Sequence, residues 1–218
     1  MLDMKGTSAQ LVGGSLLRDG VKLGQNGEWD DNLLCDDHEK ELGAGDDYAI
    51  DFCRTWRNKG RPRTGDRALD VPNPEPDKLV HFAYGVVWRH VQCQHGRANG
   101  LKLGPYGDDM LEEMQNRGPY SLQLFVGRNP LTLQGQHVDI AVGPYRVRMD
   151  AWSVWHFTIA GLDFYLKTDR RSFPDSWLPY LGNGNDPIVI GQTAERGMHE
   201  VPKLFPVLRR MRRTTWKG

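Results

Sequence analysis

The sequence predicts an α+β protein: a helical N-terminal half packed on a mostly antiparallel sheet of three to five strands. Three observations carry this prediction. Apolar residues follow a helical period from Asp46 to Trp56 and again from Asp77 to Gln92. From Ser121 onward the period becomes two. The alternating stretches are joined by short turns, and the helices precede them, which is the order expected of an α+β chain.

Taken in order, residues 1–27 hold six glycines and only short apolar runs such as LVGG and SLL. They predict turns with one short strand or hairpin. Asp31 or Asn32 is placed to cap a short helix. In DDYAIDFCRTWRNKG, residues Tyr48, Ala49, Phe52, Cys53 and Trp56 recur at i, i+1, i+4, i+5 and i+8. They form one helical face, with acids at the start and bases at the end, as the helix dipole prefers. The following stretch, residues 60–77, carries four prolines; it reads as a connector that no long helix can cross.

Asp77 then caps KLVHFAYGVVWRHVQCQ. Leu79, Phe82, Ala83, Val86, Val87 and His90 make one face, and Val80, Tyr84 and Val91 widen it. A helix this apolar belongs at the centre, covered on more than one side. Gly85 inside it costs about 1 kcal/mol relative to Ala, which predicts the close approach of another element. A shorter helix over DDMLEEMQN ends at Gly118.

Among the strands, YSLQLFV alternates from Ser121 to Val126, and HVDIAV and YRVRM flank Gly143-Pro144 as a hairpin. In WSVWHFTI, Ser153, Trp155, Phe157 and Ile159 share one face; Trp152, Val154, His156 and Thr158 share the other. With a Trp on each face, both faces of the sheet are expected to be partly covered. DFYLKT returns after Ala160-Gly161. Residues 169–202 are loops, with LGNGNDP as a turn and IVIG as a short strand. The connector divides an acidic entry module, 1–70, from an α+β body, 78–218, unless the whole chain is one domain.

The charge is balanced, with 28 Lys plus Arg and 28 Asp plus Glu, but strongly patterned. From Glu28 to Asp51 there are ten acids, among them Asp30, Asp31, Asp36, Asp37, Glu39, Glu41, Asp46 and Asp47, against the single base Lys40. The tail from Lys203 has six bases, including Arg209, Arg210, Arg212 and Arg213, and no acids. Such asymmetry speaks of partners rather than of fold. The acidic front suits a partner with a basic surface, and front and tail together admit a homodimer. Direct nucleic-acid binding is disfavoured, because zero net charge leaves no broad basic surface. Three cysteines are too few and too odd for a disulfide framework, and no stretch approaches the roughly 18 apolar residues of a membrane span. These features predict a cytoplasmic protein that does not enter the membrane.

Cys35 and His38 have the C-x2-H spacing of half a zinc site. A structural zinc takes four N or S ligands, usually as two close pairs. No Cys or His precedes Leu34, and Cys93 with His95 makes only a C-x-H pair. The residues therefore imply no cofactor, although they admit zinc at Cys35 and His38 or Mg²⁺ on the carboxylates Asp36, Asp37, Glu39 and Glu41, and no catalytic set is identified. The run WDD, LLC-x2-H-E and DDYA, over residues 28–56, resembles a group of bacterial and phage proteins with an HNH-like, treble-clef zinc module. Weaker echoes occur in FAYGVVWRH and VDIAV. The first C-x2-C and the H-I-I-P-like segment of that group are absent, and His38 stands where its second Cys would be. The resemblance implies a degenerate module that kept its scaffold. Two functions follow as expectations. The first is a non-enzymatic interaction or inhibitor protein whose acidic surface, about 28–51, engages a basic, nucleic-acid-binding protein. The alternative is a metal-dependent nuclease with an altered ligand set.

Overall fold

The most buried of the helices is the one against which the others pack. The structure, a computed structural model, describes residues 11–12, 33–64, 68–129, 132–133, 136–137, 141–149 and 151–192. Helix α1 spans Asp36–Leu42, α2 Asp46–Lys59, α3 Pro76–Gln92, α4 Gln94–Ala98 and α5 Tyr106–Gln115. The strands are β1 Leu11–Val12, β2 Arg61–Pro62, β3 Leu69–Val71, β4 Gln123–Arg128, β5 Thr132–Leu133, β6 Gln136–His137, β7 Ala141–Met149, β8 Trp152–Ile159, β9 Leu162–Lys167 and β10 Ile188–Gln192.

In α3, Pro76 occupies the first turn, where its missing N–H breaks no helical bond. The helix is capped by Glu75, and Asp77 falls inside the first turn instead of preceding it. Residues Leu79 to Gly85 are all buried, as are Val87 and Val91, so α3 is covered on several sides. Gly85 is the close approach that its position implies: a Cβ there would stand 3.0 Å from the Leu42 carbonyl oxygen at the end of α1. Helix α2 buries Ala49, Phe52, Cys53 and Trp56, the face the helical period marks. Only Leu42 is buried in α1, whose cap is Cys35; Asp31 and Asn32 lie outside the described residues.

The fold is α+β, but its sheet has seven strands, not three to five, and the two-residue β1 adds an eighth at one edge. The order is β1-β7-β8-β9-β4-β10-β3-β2. Pairing is mixed: β1 with β7 and β10 with β4 are parallel, and the other neighbours are antiparallel. The additional strands come largely from the proline-rich connector. There β2 and β3 pair with each other and β3 pairs with β10. Pro62 is tolerated because β2 is the outermost strand of the sheet, where a missing N–H interrupts no inner ladder. Gly143-Pro144 is not a hairpin turn. It lies inside β7, where the register against β8 shifts between Val142 and Tyr145, a bulge that accommodates the proline.

The helices cover one face of the sheet. The Phe82 ring of α3 meets Phe157 at 6.0 Å and Phe164 at 5.8 Å, and those two stack at 4.9 Å. The other face is covered in part by the 3-10 turn Asp175–Tyr180. There Phe173 stacks on Trp177 at 5.4 Å and meets Trp152 at 4.8 Å, and Trp177 meets Phe125 at 5.2 Å. Both faces are thus covered around the two tryptophans. One apolar cluster includes Phe52 and Trp56 from before the connector and Leu79, Phe157 and Ile188 from after it. Among the described residues, no helix is long and apolar enough to cross a membrane.

Candidate functional site

Two side-chain groupings stand out, on opposite layers of the molecule. The first is the acidic surface of α1 and the start of α2. Asp36, Asp37, Glu39, Glu41 and Asp47 are exposed, whereas Asp46 is half-buried. The guanidinium of Arg89, from α3, pairs with Glu39 at 3.2 Å and with Asp46 at 3.0 Å. Burial pushes the Asp46 carboxyl above its ordinary value, and the charge and hydrogen bonds of Arg89 offset this only in part. Asp46 is therefore a joint between α2 and α3, not a free surface charge. Among the described residues, Asp36, Asp37, Glu41 and Asp47 form no ion pair. Asp30, Asp31, Arg209, Arg210, Arg212 and Arg213 lie outside the described residues.

His81 fixes the other end of α1. Its Nε2 lies 2.9 Å from the Glu41 carbonyl oxygen, which can only accept, so this nitrogen carries the proton. Nδ1 then accepts from the Tyr120 hydroxyl at 2.7 Å. A neutral imidazole satisfies both partners, and burial lowers the His81 pKa in the same direction. The Tyr120 ring in turn packs edge-on against Tyr84 at 5.1 Å. Through His81, Arg89 and the close approach at Gly85, a helix with a single buried residue is held on the body.

Cys35 and His38 do come together, Sγ lying 3.0 Å from Nδ1, and both are exposed. The separation is a hydrogen bond's, shorter than the roughly 3.5 Å between two ligands of one tetrahedral zinc. The pair supplies at most two donors. Among the described residues no group of three His, Cys, Asp or Glu converges as a metal site would require. Cys93 caps α4, accepting from the Gly96 N–H at 3.3 Å. Cys53 is buried on the core face of α2, and burial pushes its thiol up to about 12. The three cysteines thus sit in three separate settings.

The second grouping lies on the sheet face away from the helices, and no sequence motif announces it. Asp163 is fully buried, and three donors converge on its Oδ1: Thr158 Oγ1 at 2.7 Å, Asn129 Nδ2 at 3.0 Å and His156 Nε2 at 3.1 Å. On the other side of the imidazole, Nδ1 lies 2.6 Å from the Tyr145 hydroxyl. The His156 ring stacks on Tyr165 at 4.3 Å and 6°. Burial raises the Asp163 carboxyl, but the hydrogen bond and charge of His156 and the hydrogen bonds of Thr158 and Asn129 outweigh it and hold it below its ordinary value. A faint signal exists in the sequence: His156 and Thr158 share a strand face, and a hairpin closing at Ala160-Gly161 sets Asp163 opposite Thr158.

Compared with family models, with curated proteins and with solved structures, the chain matches none.

Proposed function

We propose that the chain is an interaction protein. In this reading α1 and the first turn of α2 engage a basic, nucleic-acid-binding protein and occupy the surface that phosphates would otherwise take. One observation carries it: Asp36, Asp37, Glu41 and Asp47 are exposed on adjoining helices that carry the single base Lys40 between Asp36 and Asp51, and none of the four is in an ion pair among the described residues. Neighbouring carboxylates of like charge are unfavourable in the free protein and become favourable when a cationic surface arrives. The anchoring of α1 by His81 and Arg89 supports the same reading, because little conformational freedom remains to be lost on binding. An inhibitor of a nucleic-acid-binding protein would need this combination of negative charge and rigidity.

The test is a pull-down from nuclease-treated extract, followed by titration of the captured protein against the wild type and a variant carrying Asp36→Lys, Asp37→Lys, Glu41→Lys and Asp47→Lys. Affinity is expected to fall about 100-fold or more in the variant, and wild-type binding to weaken as salt rises. Duplex DNA should compete with the wild type for the captured protein. Equal binding by the two chains would remove α1 from the interface.

A further inference from the structure

We propose that Tyr145 is a reactive phenol, a covalent acceptor for activated acyl groups, with His156 as its general base and Asp163 as the residue that positions His156. This is independent of the α1 surface and lies on the opposite layer of the molecule.

The inference starts from the tautomer of His156. A carboxylate can only accept, so the imidazole nitrogen facing Asp163 Oδ1 carries a proton. In the neutral ring the lone pair is then on Nδ1, 2.6 Å from the Tyr145 oxygen. Nucleophile, base and orienting carboxylate are in hydrogen-bond reach in the order that activates a weak nucleophile. Thr158 and Asn129 saturate Asp163 Oδ1 and keep the carboxylate in place.

The placement is set by sheet pairing rather than by loops. Tyr145 is the β7 partner of His156, and His156 is the β8 partner of Tyr165. The bulge between Val142 and Tyr145 sets which β7 side chain reaches the imidazole, a common use of bulges. Stacking on Tyr165 holds the ring plane. Asp163 and His156 are buried, while Tyr145 is half-buried at the end of the relay. An activated acyl carbon is the electrophile that a phenol deprotonated by a neighbouring imidazole can attack.

The step balances without a redox partner. The Tyr145 oxygen attacks the carbonyl carbon of an ester, forming a new C–O bond, and its proton passes to His156 Nδ1. The bond to the leaving alkoxide or phenoxide breaks with its electron pair. The imidazolium, paired with the Asp163 carboxylate, then returns the proton to solvent. The product is an O-acyl tyrosine.

The probe is p-nitrophenyl acetate with the full-length protein, followed by release of p-nitrophenolate and by mass-spectrometric mapping. At pH 7 the expected result is one rapid equivalent of p-nitrophenolate per chain, with the acetyl group on Tyr145. Tyr145→Phe should lose that phase. His156→Gln should slow it about 100-fold at pH 7, the usual scale of general-base assistance. The two rates should converge as pH rises and the phenol ionises without a base. Should His156→Gln fail to fold, the wild type decides alone: at pH 7 Tyr145 must be acetylated at least about 10-fold faster than Tyr106. An unmodified Tyr145, or a rate that His156→Gln leaves unchanged, overturns the proposal.

Discussion

Gly45→Ala is expected to destabilise the protein by about 3 kcal/mol and, if α1 engages a basic partner as proposed, to weaken that binding without altering one carboxylate. Gly45 is the buried residue between α1 and α2, and its backbone conformation is an ordinary one. The obstacle is space. A Cβ there would stand 2.4 Å from the Lys78 carbonyl oxygen and 2.7 Å from the Phe82 amide nitrogen. Both atoms belong to the backbone of α3, the most buried helix, and neither can give way without disrupting it. The α1–α2 corner must therefore lift, loosening the contacts of Arg89 and His81 with it. Urea denaturation measures the loss as a lowered midpoint with little change of slope. Gly107→Ala is the control, since its Cβ would meet only the Leu103 side chain at 3.5 Å. It should change stability by less than about 1 kcal/mol. Equal effects at the two glycines would mean that the corner is not packed as described.

Asp163→Ala should cost about 3 kcal/mol or more, since each buried donor left unsatisfied costs about 1–3 kcal/mol. Three buried donors, on His156, Thr158 and Asn129, would lose their common acceptor. Asp163→Asn should cost less, because an amide oxygen can still accept at the Oδ1 position. The comparison between wild type and Asp163→Asn also has a pH signature. The folded carboxyl lies below its ordinary value of 3.8. A group depressed in this way contributes stability above its unfolded pKa and loses it as pH falls through the folded value. The advantage of the wild type should thus be full at pH 7 and shrink below about pH 4. An advantage that held constant to pH 2 would show that the charge of Asp163 does not contribute.

Particular residues show how far the sequence could be read. The inward face of α2 was legible as Tyr48, Ala49, Phe52, Cys53 and Trp56, and all but Tyr48 are buried. Helical periodicity is local, so ten residues suffice to reveal it. Gly85 announced a close approach, yet only the fold identifies its neighbour as the end of α1. The connector looked like a loop because prolines punctuate it. It forms β2 and β3 through a ladder with β10, whose residues lie more than a hundred positions away. Asp46 read as one more surface acid, and Arg89 of α3 turns it into an interhelical joint. Cys35 and His38 do meet, Cys35 as the residue that precedes α1 and His38 from its first turn.

The sequence by itself determined helices α2, α3 and α5, the buried face of α2, the alternation of β8 and the negative charge of α1. Each of these depends on residues a turn or two apart, and on side-chain charge, which needs no partner to exist. The tertiary structure alone decided the number and order of the strands, which acids are neutralised, and the meeting of Tyr145, His156 and Asp163. Those depend on register between β7, β8 and β9, and a bulge of one or two residues in β7 is enough to change which side chain faces the imidazole.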